Sequence, residues 1–241
     1  IDKPPSFLTN EQAARKPQRL PLSGASAFTI ALAVAIGLGI FVRSFHVLSS
    51  AFPLNDGGMF YAMARDLQHN NYQLPHFTTY NNANIPFTYP PLGFYAAALI
   101  DDLTPLSLVQ AFRWLPLVAT CLTVPAFYLL AKQMLTSKVA LVASVLAFAL
   151  VPRSFMWLLM GGGVTRSLGF LFAILALYFV HRLYKDKDRS ALPWATSLSA
   201  LTVLSHLETG WFLAFSIGVF FLEFGRNRRG LEDSFVVALG T

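Results

Sequence analysis

The chain contains long stretches without a charged residue, and its charges gather in short clusters between them. The longest stretch, residues 21–42, would form a helix of about 33 Å at the usual rise per residue. That is enough to cross the ~30 Å hydrocarbon core of a bilayer. Hydrophobic residues make up 55% of the chain and charged residues 12%, which excludes an ordinary soluble domain. The sequence predicts an all-α, polytopic transmembrane helix bundle.

We predict a short N-terminal tail (residues 1–20), a transmembrane domain (21–241) and one long external loop (45–105) that follows the first span. The other connections between apolar stretches are short. The predicted spans cover residues 21–44, 106–131, 138–158, 163–181, 190–206 and 209–224.

Most of the 18 Lys and Arg residues fall in the N-terminal tail and in alternate loops. This bias predicts a cytoplasmic N-terminus in a multi-pass protein of a plasma or inner membrane, or of the ER in a eukaryote. The net charge of +6 is therefore explained by the membrane. No basic stripe with interleaved aromatics is present, and we expect no nucleic-acid partner.

The external loop is predicted to contain two helices on the membrane surface. In "NDGGMFYAMARDL" (55–67), apolar residues at positions 60, 63, 64 and 67 have the spacing of one helix face. We assign the neighbouring Arg65 and Asp66 to the solvated face. A second helix is expected after "FTYPP" (87–91), because proline suits a helix start and residues 92–100 are apolar.

Asp56 opens the first of these helices, directly after the first span. One interpretation is that Asp56 or Asn55 caps the helix by accepting backbone N–H groups. The other is a general base, since a carboxylate at a helix N-terminus is held ionised. The two interpretations are compatible, and the following glycines would allow a ligand to approach closely.

Arg153 and Arg166 flank the external end of the third and fourth spans, which are too short to cross the bilayer without them. Either these helices continue past the arginines or their connection dips into the membrane. The arginines could contact ordinary lipid headgroups. They could also form a paired site for a lipid phosphate, because a guanidinium matches phosphate oxygens in a bidentate geometry.

His206 and Glu208, in "SHLETG", lie at the external end of the fifth span. They form either a simple interfacial ion pair or part of a site. Tyr89 belongs to a group of aromatic residues in the loop that either form an interfacial belt or stack on sugar rings. The single cysteine, Cys121, permits no intrachain disulfide, and the sequence shows no metal-ligand spacing.

Taken together, the basic tail, the acid after the first span, "YPPLGFYAAAL" and the span "RWLPLVATCLTVPAFYLLAKQML" resemble the GT-C membrane glycosyltransferases. The resemblance is to protein O-mannosyltransferases and aminoarabinose transferases, over about residues 21–182. Members of that family are longer, so we expect the chain to be the N-terminal portion of such a protein.

The resemblance implies transfer of a sugar from a polyprenyl-phosphate donor to an acceptor hydroxyl on the external side. It implies that Asp56 is the base and that Tyr89 lies at the start of the second surface helix. The related transferases often have a charged residue at that position. Some also have a second acid in the next external loop, which "PRSFMWLLMGGGVTR" lacks. We therefore expect no metal cofactor, and phosphate recognition falls to Arg153 and Arg166.

The alternative interpretation is a non-catalytic, GT-C-like scaffold subunit within a larger membrane complex. Its partners would be membrane lipids and other membrane subunits. The sequence leaves both interpretations open.

Overall fold

The structure is a computed structural model that describes residues 24–49, 57–161 and 163–241. The N-terminal tail and Asp56 lie outside the described residues. The described part is built from α-helices joined by short connections, and its one sheet is a two-stranded ribbon of Phe77–Thr78 (β1) and Ile85–Pro86 (β2). The helices are α1 Gly24–Leu48, α2 Gly57–His69, α3 Leu92–Leu103, α4 Leu108–Met134, α5 Lys138–Leu150, α6 Met156–Leu159, α7 Gly163–Lys185, α8 Leu192–Ser205, α9 Leu207–Phe220 and α10 Arg228–Leu239.

Several of these helices are long and apolar enough to cross a membrane, which confirms the predicted all-α membrane fold. Within the described residues they are Ser26–Leu48, Leu108–Met134, Gly163–Lys185 and Leu207–Gly225. A fifth crossing is possible where α5 and the segment Pro152–Leu159 are joined at a bend of 76°. The fifth predicted span, residues 190–206, contains α8, which at 14 residues is about 21 Å long. By helix length the structure thus supports four or five of the six predicted spans.

The bend after α5 has an identifiable cause. A helical carbonyl normally accepts the N–H four residues later, and for Phe148 that residue is Pro152, which has none. The hydroxyl of Ser154 replaces this donor and lies 2.6 Å from the Phe148 oxygen. The chain passes through a 3-10 turn, Pro152–Ser154, and then enters α6.

Arg43 satisfies the next carbonyl at the same helix end. Its side chain is fully buried and donates to the carbonyl oxygen of Ala149 over 2.7 Å. The guanidinium also packs 4.7 Å from the centre of the Phe155 ring. Gly39 allows this approach of α1, because a Cβ there would lie 3.0 Å from the Cβ of Ala149. Arg43 therefore lies within α1 and pins that helix to the end of α5.

The two predicted helices of the first loop are present, and their apolar face packs against protein. The stripe on α2 (Phe60, Met63, Ala64 and Leu67) is at most 1% exposed. It forms one cluster with residues of α3, the start of α4 and Val164 of α7. Because these neighbours cover the stripe, α2 presents little of it to lipid.

Asp66 does not belong to the solvated face that we predicted. It is 7% exposed, and its carboxylate accepts hydrogen bonds from the hydroxyls of Thr78 and Thr79, both at 2.7 Å, and from the Thr79 amide at 2.9 Å. These bonds fasten the β-ribbon to α2. Arg65, on the neighbouring position, is exposed and lies 3.6 Å from a carboxylate oxygen of Asp101.

The rest of the connector is fixed by local chemistry. Four asparagines, Asn71, Asn81, Asn82 and Asn84, adopt positive φ angles, which asparagine tolerates better than most residues. The Tyr72 hydroxyl donates to Asp102. Partial burial and this bond raise the pKa of Tyr72 to about 12, so the hydroxyl remains a donor at neutral pH.

Replacing Arg43 by Met should lower the free energy of unfolding by about 2 kcal/mol, because a buried carbonyl then loses a charged donor. Ser154→Ala should lower the free energy of unfolding by about 1 kcal/mol, because the Phe148 carbonyl then loses its donor. Arg65→Met, on the exposed surface, should stay within about 0.5 kcal/mol of the wild type. Unfolding by SDS in mixed micelles measures all three values. An unchanged midpoint for Arg43→Met would show that this contact does not hold α1 to α5.

Candidate functional site

A cavity of about 630 Å³ opens between α6, α7 and α9. It contains four of the residues that the sequence singled out as candidates: Arg153, Arg166, His206 and Glu208. These residues come from three separate parts of the chain, so only the folded chain brings them together. All of them lie at one end of the helices, where α6 ends, α7 begins and α8 turns into α9.

The bend after α5 positions one wall of this cavity. It places Arg153 in the 3-10 turn and carries Trp157 on α6 to the first turn of α7. There the guanidinium of Arg166 lies 4.5 Å from the centre of the Trp157 ring, within the range of a cation–π contact. Arg166 is thus held by an aromatic face on the cavity wall.

His206 forms the opposite wall and caps α9. Its Nδ1 accepts from the Thr209 backbone N–H at 3.3 Å and lies 2.9 Å from the Thr209 hydroxyl. Because an amide can only donate, Nδ1 must carry a lone pair, which leaves the proton of the neutral ring on Nε2. Gly169 makes room for this residue, since a Cβ at that position would lie 2.9 Å from the His206 Cβ.

Below this polar end the cavity is lined by apolar side chains. Phe170, Ile174 and Leu177 continue from Arg166 along one face of α7, and Phe212 and Leu213 face them from α9. Leu177 follows Arg166 by about three helical turns, or roughly 16 Å. The cavity therefore joins a polar mouth to an apolar channel that reaches about halfway through a bilayer core.

The charges at the mouth favour an anion. Arg153 and Arg166 contribute two cations, Glu208 one carboxylate, and the capped His206 is neutral. Arginine binds phosphate and carboxylate oxygens in a bidentate geometry. Among the residues that the structure describes, no group of three or more His, Cys, Asp or Glu side chains is placed to hold a metal ion.

Of the other two predicted site residues, Tyr89 lies elsewhere and Asp56 is not described. Tyr89 packs edge-on against Phe60, with ring centres 4.8 Å apart, and belongs to the cluster around α2 and α3. It contributes to packing there and does not line the cavity. Asp56, the predicted base, is outside the described residues, although α2 begins at the next position, Gly57.

Sequence reasoning missed six polar or aromatic residues of the cavity: Ser154, Trp157, Phe170, Thr209, Phe212 and Ser216. Trp157 had a signal, because it is the one tryptophan between two arginines in a segment with a broken helical pattern. Thr209 had a weaker signal, three positions after His206, where an N-cap side chain finds the backbone N–H that it accepts.

The chain is thus an all-α membrane protein with an amphipathic cavity at one end of its helices. Residues 87–240 match the family described as the 6-pyruvoyl-tetrahydropterin synthase related domain, a membrane protein. The match spans more than half of the chain, and the protein belongs to this family. The matched range, residues 87–240, includes every residue that lines the cavity. No curated protein matches the chain.

The cap role of His206 can be separated from a ligand role by two substitutions. His206→Ala should lower the free energy of unfolding by about 1 kcal/mol, because α9 loses its N-cap acceptor. His206→Asn should restore most of this loss, since asparagine is a good N-cap. Unfolding curves in mixed micelles measure both. If His206→Asn were as unstable as His206→Ala, the imidazole would stabilise the helix by something other than capping.

Proposed function

We propose that the protein is a GT-C-like membrane glycosyltransferase that holds the phosphate of a polyprenyl-phosphate sugar at the mouth of this cavity. The observation that carries the proposal is the pairing of Arg153 and Arg166 above an apolar channel. A polyprenyl phosphate has the same division, with an anionic head on an apolar chain. One ligand of this class would use both parts of the cavity.

The arginines suit a leaving phosphate because guanidinium donors stabilise charge that develops on its oxygens. Trp157 restricts the motion of Arg166, so less conformational freedom is lost when a ligand binds. The Nε2–H of a neutral His206 provides one more donor for an oxygen at the same mouth.

In the proposed reaction, Asp56 accepts the proton of the acceptor hydroxyl as its oxygen attacks the anomeric carbon of the donor. The bond from that carbon to the phosphate oxygen breaks, and its electron pair stays on the departing polyprenyl phosphate. Arg153 and Arg166 stabilise the added charge. The acceptor retains the sugar, and the protonated Asp56 returns its proton to water.

The placement of α2 supports this assignment of roles. Phe60, one turn after Asp56, belongs to the same packed cluster as Val164, two residues before Arg166. The start of α2 is therefore at the same end of the bundle as the arginines. From the distribution of Lys and Arg, this end is proposed to be external or lumenal, with the N-terminus in the cytoplasm.

Removal of either arginine should weaken binding of a polyprenyl phosphate. Arg153→Gln and Arg166→Gln should each raise the dissociation constant about tenfold or more, because a charge-assisted contact contributes roughly 1.5–3 kcal/mol. Native mass spectrometry with added undecaprenyl phosphate measures the bound fraction. Arg65→Gln is the matched control, being an exposed arginine on α2 that does not line the cavity, and should bind like the wild type. Equal losses in all three variants would contradict a phosphate site in the cavity.

Asp56→Asn should abolish sugar transfer and leave lipid binding unchanged, because asparagine cannot take up the proton. Purified protein is incubated with radiolabelled polyprenyl-phosphate sugars and with acceptors that carry a hydroxyl group. Transfer is measured as the amount of label that appears in the acceptor. Retained turnover in Asp56→Asn would exclude this residue as the base. Lipid binding by the wild type without turnover on any donor would favour the scaffold subunit, the alternative function.

A further inference from the structure

At the opposite end of the bundle, α10 exposes an apolar face. Leu231, Phe235 and Leu239 lie four residues apart on one side of this helix and are 61%, 63% and 72% exposed. The other side is buried, through Gly230, Asp233 and Val237. An amphipathic helix whose apolar side is open to the outside needs an apolar environment there.

Three contacts fix the position of α10 relative to α7, α8 and the connection between them. Asp233, only 4% exposed, pairs with Arg189 at 3.0 Å. Ser234 lies 2.6 Å from the hydroxyl of Tyr184, in the last turn of α7. At the far end, Gly240 sits against Thr196 in the second turn of α8, where an added Cβ would lie 2.2 Å from its Cγ2.

These contacts hold α10 at the level where the spans end. The candidate span that contains α9 ends at Gly225, three residues before α10 begins, and α7 ends at Lys185. The open face of α10 is thus placed near the boundary between hydrocarbon and water. This is the depth at which amphipathic helices bury their apolar side in a leaflet.

The charges around α10 indicate which lipids are favoured. Some cations at this end are neutralised by acids, through the pairs Arg182–Asp188, Arg189–Asp233 and Arg228–Glu232. Arg226 and Arg229 are exposed and form no ion pair with any residue that the structure describes. Lys185 and Lys187 both contact Phe224, two residues before Arg226, and add positive charge there. Asp186 and Glu223 are the acids nearest to them in the sequence.

We infer that α10 is an interfacial helix that binds the anionic phospholipids of one leaflet. Leu231, Phe235 and Leu239 enter the acyl region, and Arg226 and Arg229 contact headgroup phosphates. This surface is separate from the cavity and does not depend on the proposed function. By the positive-inside rule the leaflet concerned is the cytoplasmic one, which carries most anionic lipid.

The depth of α10 can be measured with a fluorophore on Phe235→Cys in a Cys121→Ser background. The protein is reconstituted in phosphatidylcholine vesicles with or without phosphatidylglycerol. The label at 235 should be quenched by doxyl-labelled lipid and protected from aqueous iodide, more strongly with phosphatidylglycerol present. A label on Thr136→Cys, an exposed position in the α4–α5 connection, should show the reverse pattern.

The role of the arginines is tested by counting the phosphatidylglycerol molecules retained in native mass spectrometry. Arg226→Gln with Arg229→Gln should weaken retention about fivefold for each arginine removed. The control is Lys132→Gln with Lys138→Gln, two exposed cations that flank the α4–α5 connection, and it should change retention much less. Equal losses in both double variants would overturn the inference. Two results with the 235 label would also overturn it. Protection from both quenchers would mean that protein covers the face, and quenching by iodide alone would mean that the face lies in water.

Discussion

Two carbonyl groups at the end of α5 need hydrogen-bond donors from outside the helix, and much of the structure depends on how these donors are provided. Pro152 removes the helical donor of Phe148, and the bend ends the ladder for Ala149. A bare carbonyl inside a bilayer is costly because no water can bond it. Ser154 and Arg43 provide the missing donors, and in doing so they join α1, α5 and α6. With the bend stabilised in this way, Arg153 and Trp157 can turn toward α7 and form a wall of the cavity.

The cavity combines a polar mouth with an apolar interior. At its mouth, arginines, a capped histidine and a glutamate face one another, and the side chains behind them are those of a membrane core. This form matches the proposed ligand, which has an anionic head and an apolar body, since neither part alone would fill the cavity. Helix ends create the mouth, because α7 begins and α9 is capped there.

The sequence predicted those features that depend on the residues of a single helix. Uncharged runs predicted the spans, and the cost of charges at those depths singled out the arginines at the break and the pair His206 and Glu208 as separate candidates. That all four line one cavity was not predicted. The sequence was less informative where partners come from distant parts of the chain. Arg43, Asp66 and Tyr89 each have a plausible surface role in sequence, but their environment is set by Ala149, by the β-ribbon and by Phe60. Periodicity carries no information about such pairings.

The 76° bend also affects how the chain enters the membrane during synthesis. α5 has 13 residues, about 20 Å of helix, which is less than the hydrocarbon thickness that a lone span must cross. The Ala149 carbonyl at its end is satisfied by Arg43 of α1, over 100 residues earlier in the chain. We therefore expect α5 to insert cooperatively with α1. The first span must still lie close to the translocon when α5 leaves the ribosome.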